Sequence, residues 1–216
     1  MTVPTVSTQA DALRQQFAAA ARPEQIDRTA RALAARAFSV EVLDDAHAAR
    51  VRVAALLPDG ATVYTAASET LRLSGIESDI NDSDRLVATK PRVWALDRKT
   101  QNDEIRRLRA APDFVVGSVS AVTEEGSLIA VSATGSQLPA YAGGARKVIL
   151  VVGAQKVVPD LATALQRIET YAYPLEDARA RATYGQPSAI YKLLIINAEP
   201  FPGRTIVLLV REPIGF

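Results

Sequence analysis

The run Val148-Ile149-Leu150-Val151-Val152-Gly153 constrains this chain more than any other stretch. Successive residues of a strand point to opposite faces, so this run presents branched apolar side chains to both faces at once. A strand with one wet face alternates apolar and polar residues; an unbroken run fits a parallel strand covered on both sides. Parallel neighbours need long crossover connections, usually helices. Further strand-like runs at Phe38–Val42, Thr62–Thr65, Phe114–Gly117, Ser127–Val131, Tyr191–Ile196 and Thr205–Val210 are interspersed with helical segments. That alternation implies right-handed βαβ units and an α/β fold: a mostly parallel open sheet flanked by helices.

The helical segments carry their own start signals. Thr8 with Asp11 three residues on resembles a capping box, and Leu13, Gln16, Phe17 and Ala20 follow at helical spacing. Pro23 suits the first turn of a second helix, with Ile26, Ala30, Leu33 and Ala37 along one face. Asp44-Asp45 caps a helix running to about Leu57, and Pro58-Asp59-Gly60 is a turn. Residues 76–90 are polar and give no assignment, Val93-Trp94-Ala95-Leu96 reads as a strand, and a charged helix spans Asn102–Ala110. Pro159 opens a helix whose Leu161, Ala164, Leu165, Ile168 and Ala172 share a face. No linker divides the 216 residues, so they form a single domain: an N-terminal helical segment (1–37) and an α/β core (38–216).

Composition removes several function classes. With no cysteine, the chain holds no disulfide, thiolate nucleophile or iron–sulfur cluster of its own. Its net charge of +1, with acids and bases scattered, gives no basic stripe for nucleic acid. No stretch of about 18 apolar residues is present to make a membrane span, and Met1–Ala10 lacks the pattern of a signal peptide. Cytoplasmic placement is the expectation, and the arginine- and alanine-rich usage fits a bacterial source. His47 is the sole histidine, mid-helix, which leaves a Ser-His-Asp triad or a histidine metal site without parts. Carboxylates alone could bind a Mg-type ion, and nothing clusters them. Neither G-x-x-x-x-G-K-[ST] nor G-x-G-x-x-G occurs, the Gly143-Gly144 pair reads as a turn, and no cofactor is assigned. Tyr64 and Trp94, inside strand-like runs, are expected in the core.

Three segments carry candidate chemistry. Ser68-Glu69-Thr70 follows the Thr62–Thr65 strand, and ligands of open α/β sheets collect beyond the carboxyl ends of strands. Ser68 and Thr70 either contact a small anion there or serve their own helix start. Thr123-Glu124-Glu125-Gly126-Ser127 is either a surface turn or a strand end that carries Glu124 inward as nucleophile, base or clamp. Gly153-Ala154-Gln155-Lys156 follows the buried strand, where Lys156 is either a point charge for an anion or a solvated loop lysine.

Together these segments resemble the LUD-domain family of lactate-utilisation proteins. The matching stretches are Gly60–Val63 with Ser68–Leu71, Ala121–Leu128, Lys147–Arg167 (KVILVVGAQKVVPDLATALQR), Tyr173-Pro174-Leu175 with Arg179, and Thr205–Phe216. The resemblance implies a fold like that of ribose-5-phosphate isomerase and the CoA transferases. It also implies a part in oxidising lactate to pyruvate beside iron–sulfur oxidoreductase subunits, as an accessory component binding a small anionic metabolite. Relatives of similar length hold a cysteine group after the Arg179 region, whereas residues 182–190 here are cysteine-free, so a redox role does not carry over. Thr123-Glu124-Glu125-Gly126 is similar to the Ser-Glu-Asn-Gly turn of CoA transferases, with Glu125 in place of Asn. That similarity gives an acyl- or CoA-transferring enzyme with Glu124 as nucleophile as one alternative. A ligand-sensing protein without turnover is another.

Overall fold

A computed structural model describes residues 6–216. Ten strands are described: β1 (Ser39–Leu43), β2 (Thr62–Thr65), β3 (Val87–Ala88), β4 (Phe114–Gly117), β5 (Ala121–Thr123), β6 (Leu128–Ser132), β7 (Lys147–Gly153), β8 (Val157–Val158), β9 (Lys192–Ile196) and β10 (Thr205–Val210). The helices are α1 (Val6–Ala18), α2 (Pro23–Ala35), α3 (Ala46–Leu56), α4 (Glu69–Leu73), α5 (Ile76–Asn81), α6 (Thr89–Ala95), α7 (Asn102–Ala110), α8 (Leu161–Arg167) and α9 (Tyr173–Tyr184). A π-helical turn at Ile168–Ala172 joins α8 to α9 without a break, and another lies at Ala140–Gly144.

Six strands form a fully parallel sheet in the order β1-β10-β7-β4-β2-β3. The all-apolar run is β7, at its centre. Val148, Leu150 and Val152 pack into one core with Val207 and Leu209 of β10, while Ile149 and Val151 join Leu208 and Val210 in the core on the other face. Both faces are dry, as the unbroken apolar pattern requires.

A second sheet, β8-β5-β6-β9, is mixed: β5 pairs with β8 in parallel and with β6 antiparallel, and β9 is antiparallel to β6. The two sheets share chain. β4 continues through Ser118–Ser120 into β5, and β7 continues through the 3₁₀ turn Ala154–Lys156 into β8. Four residues lie between Gly117 and Val122, whereas six lie between their partners Leu150 and Val157, and the surplus is absorbed by the 3₁₀ turn. Both strands thus leave the large sheet side by side and enter the small one side by side.

Several expectations change. Residues 89–95 are a helix, not a strand: Pro91 sits in its first turn, where a missing N–H costs nothing, and Trp94 lies on the surface instead of in the core. The unassigned residues 76–90 hold α5, β3 and the start of α6. Thr8 lies inside α1, not at its cap. Ala37 falls past α2, at a left-handed φ of 65°. Asp45 does cap α3, its side chain accepting from the Ala48 N–H at 2.7 Å. On α8, Leu161 and Leu165 are partly exposed while Arg167 is fully buried, so the inward face includes a cation that apolar spacing hides. No helix among the described residues is long and apolar enough to cross a membrane.

The β5–β6 hairpin turns through Glu124-Glu125-Gly126. The Gly126 N–H donates to the Thr123 carbonyl at 2.9 Å, and Gly126 adopts φ 91°, where a side chain is strained. A Cβ there would come within 2.7 Å of the Ala32 carbonyl carbon in α2. Gly126→Ala is therefore expected to cost more than about 1 kcal/mol, lowering Tm by roughly 2–4 °C per kcal/mol in a chain of this size. An unchanged Tm in a thermal melt would contradict this docking of the hairpin on α2.

Candidate functional site

A cavity of about 610 Å³ opens where the strands of the large sheet end. That volume suits a small-molecule ligand. Its floor comes from the carboxyl ends of three parallel strands: Tyr64 in β2 with Ala67 and Ser68 after it, Ser118–Ser120 after β4, and Lys156 after β7. The end of β6 and the residues after it (130–134), with Ser136, Gln137 and Tyr141, add polar groups. Lys90 and Trp94 of α6, Arg98, and Arg109 of α7 enclose another part, and the π turn brings Ile168 and Ala172, followed by Tyr173, Glu176 and Arg179 of α9. π turns inside long helices often mark functional sites, and this one turns its residues toward the cavity. Phe216 also lines the space.

Lys156 sits at the centre of the floor, 1% exposed. Its Nζ donates to Thr70 Oγ1 at 2.8 Å and to Ser118 Oγ at 3.0 Å. Burial, with the Arg167 charge adding to it, pushes the Lys156 amine well below the usual lysine range. Arg167 lies beneath, donating through Nε to the Gln155 carbonyl at 3.1 Å and through Nη1 to the Ser120 carbonyl, while Nη2 has no partner. Burial lowers it to about 10, so it remains charged at neutral pH.

Gln155, on the same 3₁₀ turn, faces the other way. It donates to the Ile214 carbonyl at 2.9 Å and accepts from the Ile214 N–H at 3.2 Å, fastening residues 214–216 across the strand ends. Tyr141 is buried with its hydroxyl donating to the Ser118 carbonyl at 3.2 Å, and burial raises that phenol above its ordinary value.

Five basic side chains line the cavity, against the two acids Glu69 and Glu176. Two of the bases have carboxylate partners. Lys90 pairs with Glu77 beside the Trp94 ring, and Arg179 pairs with Glu176 at 2.7 Å and lies 3.9 Å from Glu69. Arg98, Arg109 and Lys156 have none among the described residues, and the Nε of Arg109 is buried without any hydrogen-bond partner. The cavity is a cationic hollow with hydroxyl-rich walls.

A model of the LUD domain family matches residues 26–210, from α2 to the end of β10. The chain belongs to the LUD domain family. Among solved structures, this LUD domain is similar to a DUF162 family protein from Deinococcus radiodurans, at 13% identity and a TM-score of 0.51. The alignment covers 88% of this chain and 98% of that one, a likeness of fold. No curated protein sequence matches this LUD domain.

The LUD fold separates the sequence candidates into two groups. Ser68, Thr70 and Lys156 come together: Ser68 and Lys156 line the cavity, and Thr70 lies directly under Lys156. Ser68 also caps α4, whose first turn already carries the Glu69 carboxylate, so this one-turn helix start is not a vacant anion seat. The solvated reading of Lys156 is replaced by full burial. Gly153 is buried where the chain end crosses it: a Cβ would stand 2.7 Å from the Ile214 nitrogen. The second group is elsewhere. The β5–β6 hairpin presents residues 130–134 to the cavity, so its turn, with Thr123, Glu124 and Gly126, lies at the other end. Thr123 Oγ1 accepts from the Ser127 N–H at 3.0 Å inside that turn. Glu124 faces α2, accepting from Gln25 Nε2 at 2.8 Å and Arg28 Nε at 2.6 Å. His47 is exposed on α3.

Arg98, Arg109, Tyr141 and Tyr173 were not legible as site residues. In the sequence Arg109 is one base of a charged helix; in the fold α7 packs beside the Ala140–Gly144 turn and the Arg109 Nε is buried. Arg179 was marked only through family likeness.

Burial alone would raise the Glu124 carboxyl, but the bonds from Gln25 and Arg28 outweigh it and hold the group below its ordinary 4.5. A depressed carboxyl contributes stability above the unfolded value, and that contribution is lost as pH falls through the folded one. Glu124→Gln is thus expected to lower stability by about 1 kcal/mol at pH 7, since Arg28 is half exposed. The gap to the parent protein should close as pH drops below 4.5. A gap that is constant from pH 7 to pH 3 in urea melts would refute the ion pair.

Proposed function

We propose that this LUD-domain protein binds a small anionic metabolite in the cavity at the strand ends, as an accessory component of lactate or 2-hydroxy-acid utilisation. The observation that carries the reading is the convergence of Arg98 and Arg109, without carboxylate partners among the described residues, on one hollow of about 610 Å³. Guanidinium groups that line a cavity without counter-ions favour an anion that brings its own charge, and the buried Nε of Arg109 is a donor left without an acceptor. Arginine suits the planar fork of a carboxylate, and the hydroxyl of Ser120 suits an adjoining hydroxyl or carbonyl oxygen. Ser68 and Lys156 are the sequence candidates that fall on this surface. Glu124 belongs to the α2 contact in this reading, so acyl transfer through it is not invoked.

Binding is expected for lactate, pyruvate or another small carboxylate, as a rise in Tm that grows with ligand concentration. Ligand at 100 times its Kd gives about 2.7 kcal/mol of stabilisation. Arg98→Gln and Arg109→Gln should each weaken binding about tenfold, the equivalent of one charge-assisted bond. An unshifted Tm across small carboxylates, or unchanged affinity in the double variant, would end the reading. The pathway assignment has its own test: capture of partners from the native host and growth of a deletion strain on lactate. Capture of iron–sulfur oxidoreductase subunits with impaired growth is expected; normal growth with no such subunit recovered would defeat it.

A further inference from the structure

The hydrogen-bond pattern around Lys156 fixes more than its position. Ser118 Oγ donates its single hydrogen to the Val151 carbonyl at 2.6 Å, and Thr70 Oγ1 donates its own to the Ile214 carbonyl at 3.2 Å. With those hydrogens committed, both hydroxyls meet Lys156 only as acceptors. Two N–H bonds of the lysine are therefore directed into the floor, to Thr70 and Ser118. A neutral amine has two hydrogens and one lone pair. Tying both hydrogens down leaves the lone pair as the group that completes the tetrahedron, and Lys156 is part of the cavity lining.

The surroundings favour that neutral form. No carboxylate pairs with Lys156 among the described residues, and the nearest charged group beneath it is the cation Arg167. An ammonium fully removed from water without a counter-ion is costly, whereas an amine is not. A desolvated lysine beside a second cation is the arrangement that makes a nucleophile at neutral pH.

We propose that Lys156 is a nucleophilic amine that condenses with the carbonyl carbon of a small anionic aldehyde or 2-oxo acid seated in the cavity, the carboxylate held by Arg98 and Arg109. The inference rests on the anion-binding reading above and names its substrate class. In the condensation the C–N bond forms and the carbonyl oxygen leaves as water. That water carries away both amine hydrogens, so no oxidant, reductant or other co-reactant is needed. Thr70 and Ser118 are positioning residues: they accept those hydrogens' bonds beforehand and aim the lone pair.

Sequence makes the test clean, because only Lys90, Lys99, Lys147, Lys156 and Lys192 occur in the chain. The full-length protein is incubated at pH 7 with pyruvate or glyoxylate, reduced with borohydride, digested and mapped by mass spectrometry. The expected result is a carboxyethyl group (pyruvate) or carboxymethyl group (glyoxylate) on Lys156, in clear excess over exposed Lys99 and Lys192. Lys156→Met should abolish trapping. The map of the unmutated protein decides the matter if that variant does not fold. Ser118→Ala should slow trapping while leaving pyruvate affinity, measured by calorimetry, within about threefold. Calorimetry also separates the two proposals. Pyruvate that binds but labels no lysine, or labels lysines only in order of exposure, overturns the covalent role and leaves anion binding standing. Absence of both binding and labelling overturns both.

Discussion

Two neighbouring parallel strands that change sheets together are the constraint on which the rest of this structure depends. β4 and β7 run side by side in the large sheet and reappear side by side as β5 and β8 in the small one. Where they cross, the backbone ladder is interrupted, and the freed polar groups must find other partners. The Ser118 hydroxyl takes up the Val151 carbonyl, and Arg167 takes up the carbonyls of Ser120 and Gln155. The crossing also needs room. A Cβ on Gly117 would lie 1.8 Å from the Tyr141 hydroxyl, so the last residue of β4 has no side chain. The cavity is lined from both sheets, and Lys156 lines it from the turn where β7 passes into β8.

This geometry explains why cations rather than acids gather there. Parallel strands end in carbonyl oxygens on the cavity side, and donors are what such an end lacks. Arg167 satisfies part of that need from below, donating to the carbonyls of Ser120 and Gln155, and no hydroxyl or carboxylate could replace its several N–H groups. Lys156 then stands on a floor that already holds the Arg167 charge, and burial together with that charge presses against its protonation. The structural requirement of the sheet crossing and the chemistry of the amine are in this sense one feature.

The fold was legible because its strongest signals are local. The unbroken apolar run of β7 sets the parallel class without reference to anything distant, and Asp45 and Pro23 mark helix starts through their own backbone chemistry. The second sheet was less so, since β5 and β8 have three and two residues, too short for any periodicity. Helix α6 reads as a strand in the sequence because Val93 and Trp94 are residues strands favour; Pro91 is the contrary sign. Half of the candidate site was within reach for the same reason. Ser68 and Lys156 directly follow recognisable strands, and the rule that ligands gather at carboxyl ends needs nothing else. Glu124 illustrates the limit. Two acids and a glycine specify a turn, and which way a hairpin's turn faces depends on helix α2, about a hundred residues away along the chain.

Arg167 shows what a pattern reading leaves out in principle. In the segment Leu161–Ala172 it falls between apolar positions and looks like a solvated base. In the structure it is 0% exposed, with two of its donors on carbonyls of the sheet crossing and its charge 5.0 Å from the Tyr171 ring. A buried guanidinium is tolerated only where its donors are needed, so its burial is evidence for the interrupted ladder above it. The interruption cannot be seen in α8, because it is made by residues 118–120 and 154–156. Local periodicity reports which face of a helix is inward; it does not report whether what lies inward is an apolar surface or a row of unsatisfied carbonyls. In this protein it is both, and the second is where the chemistry is.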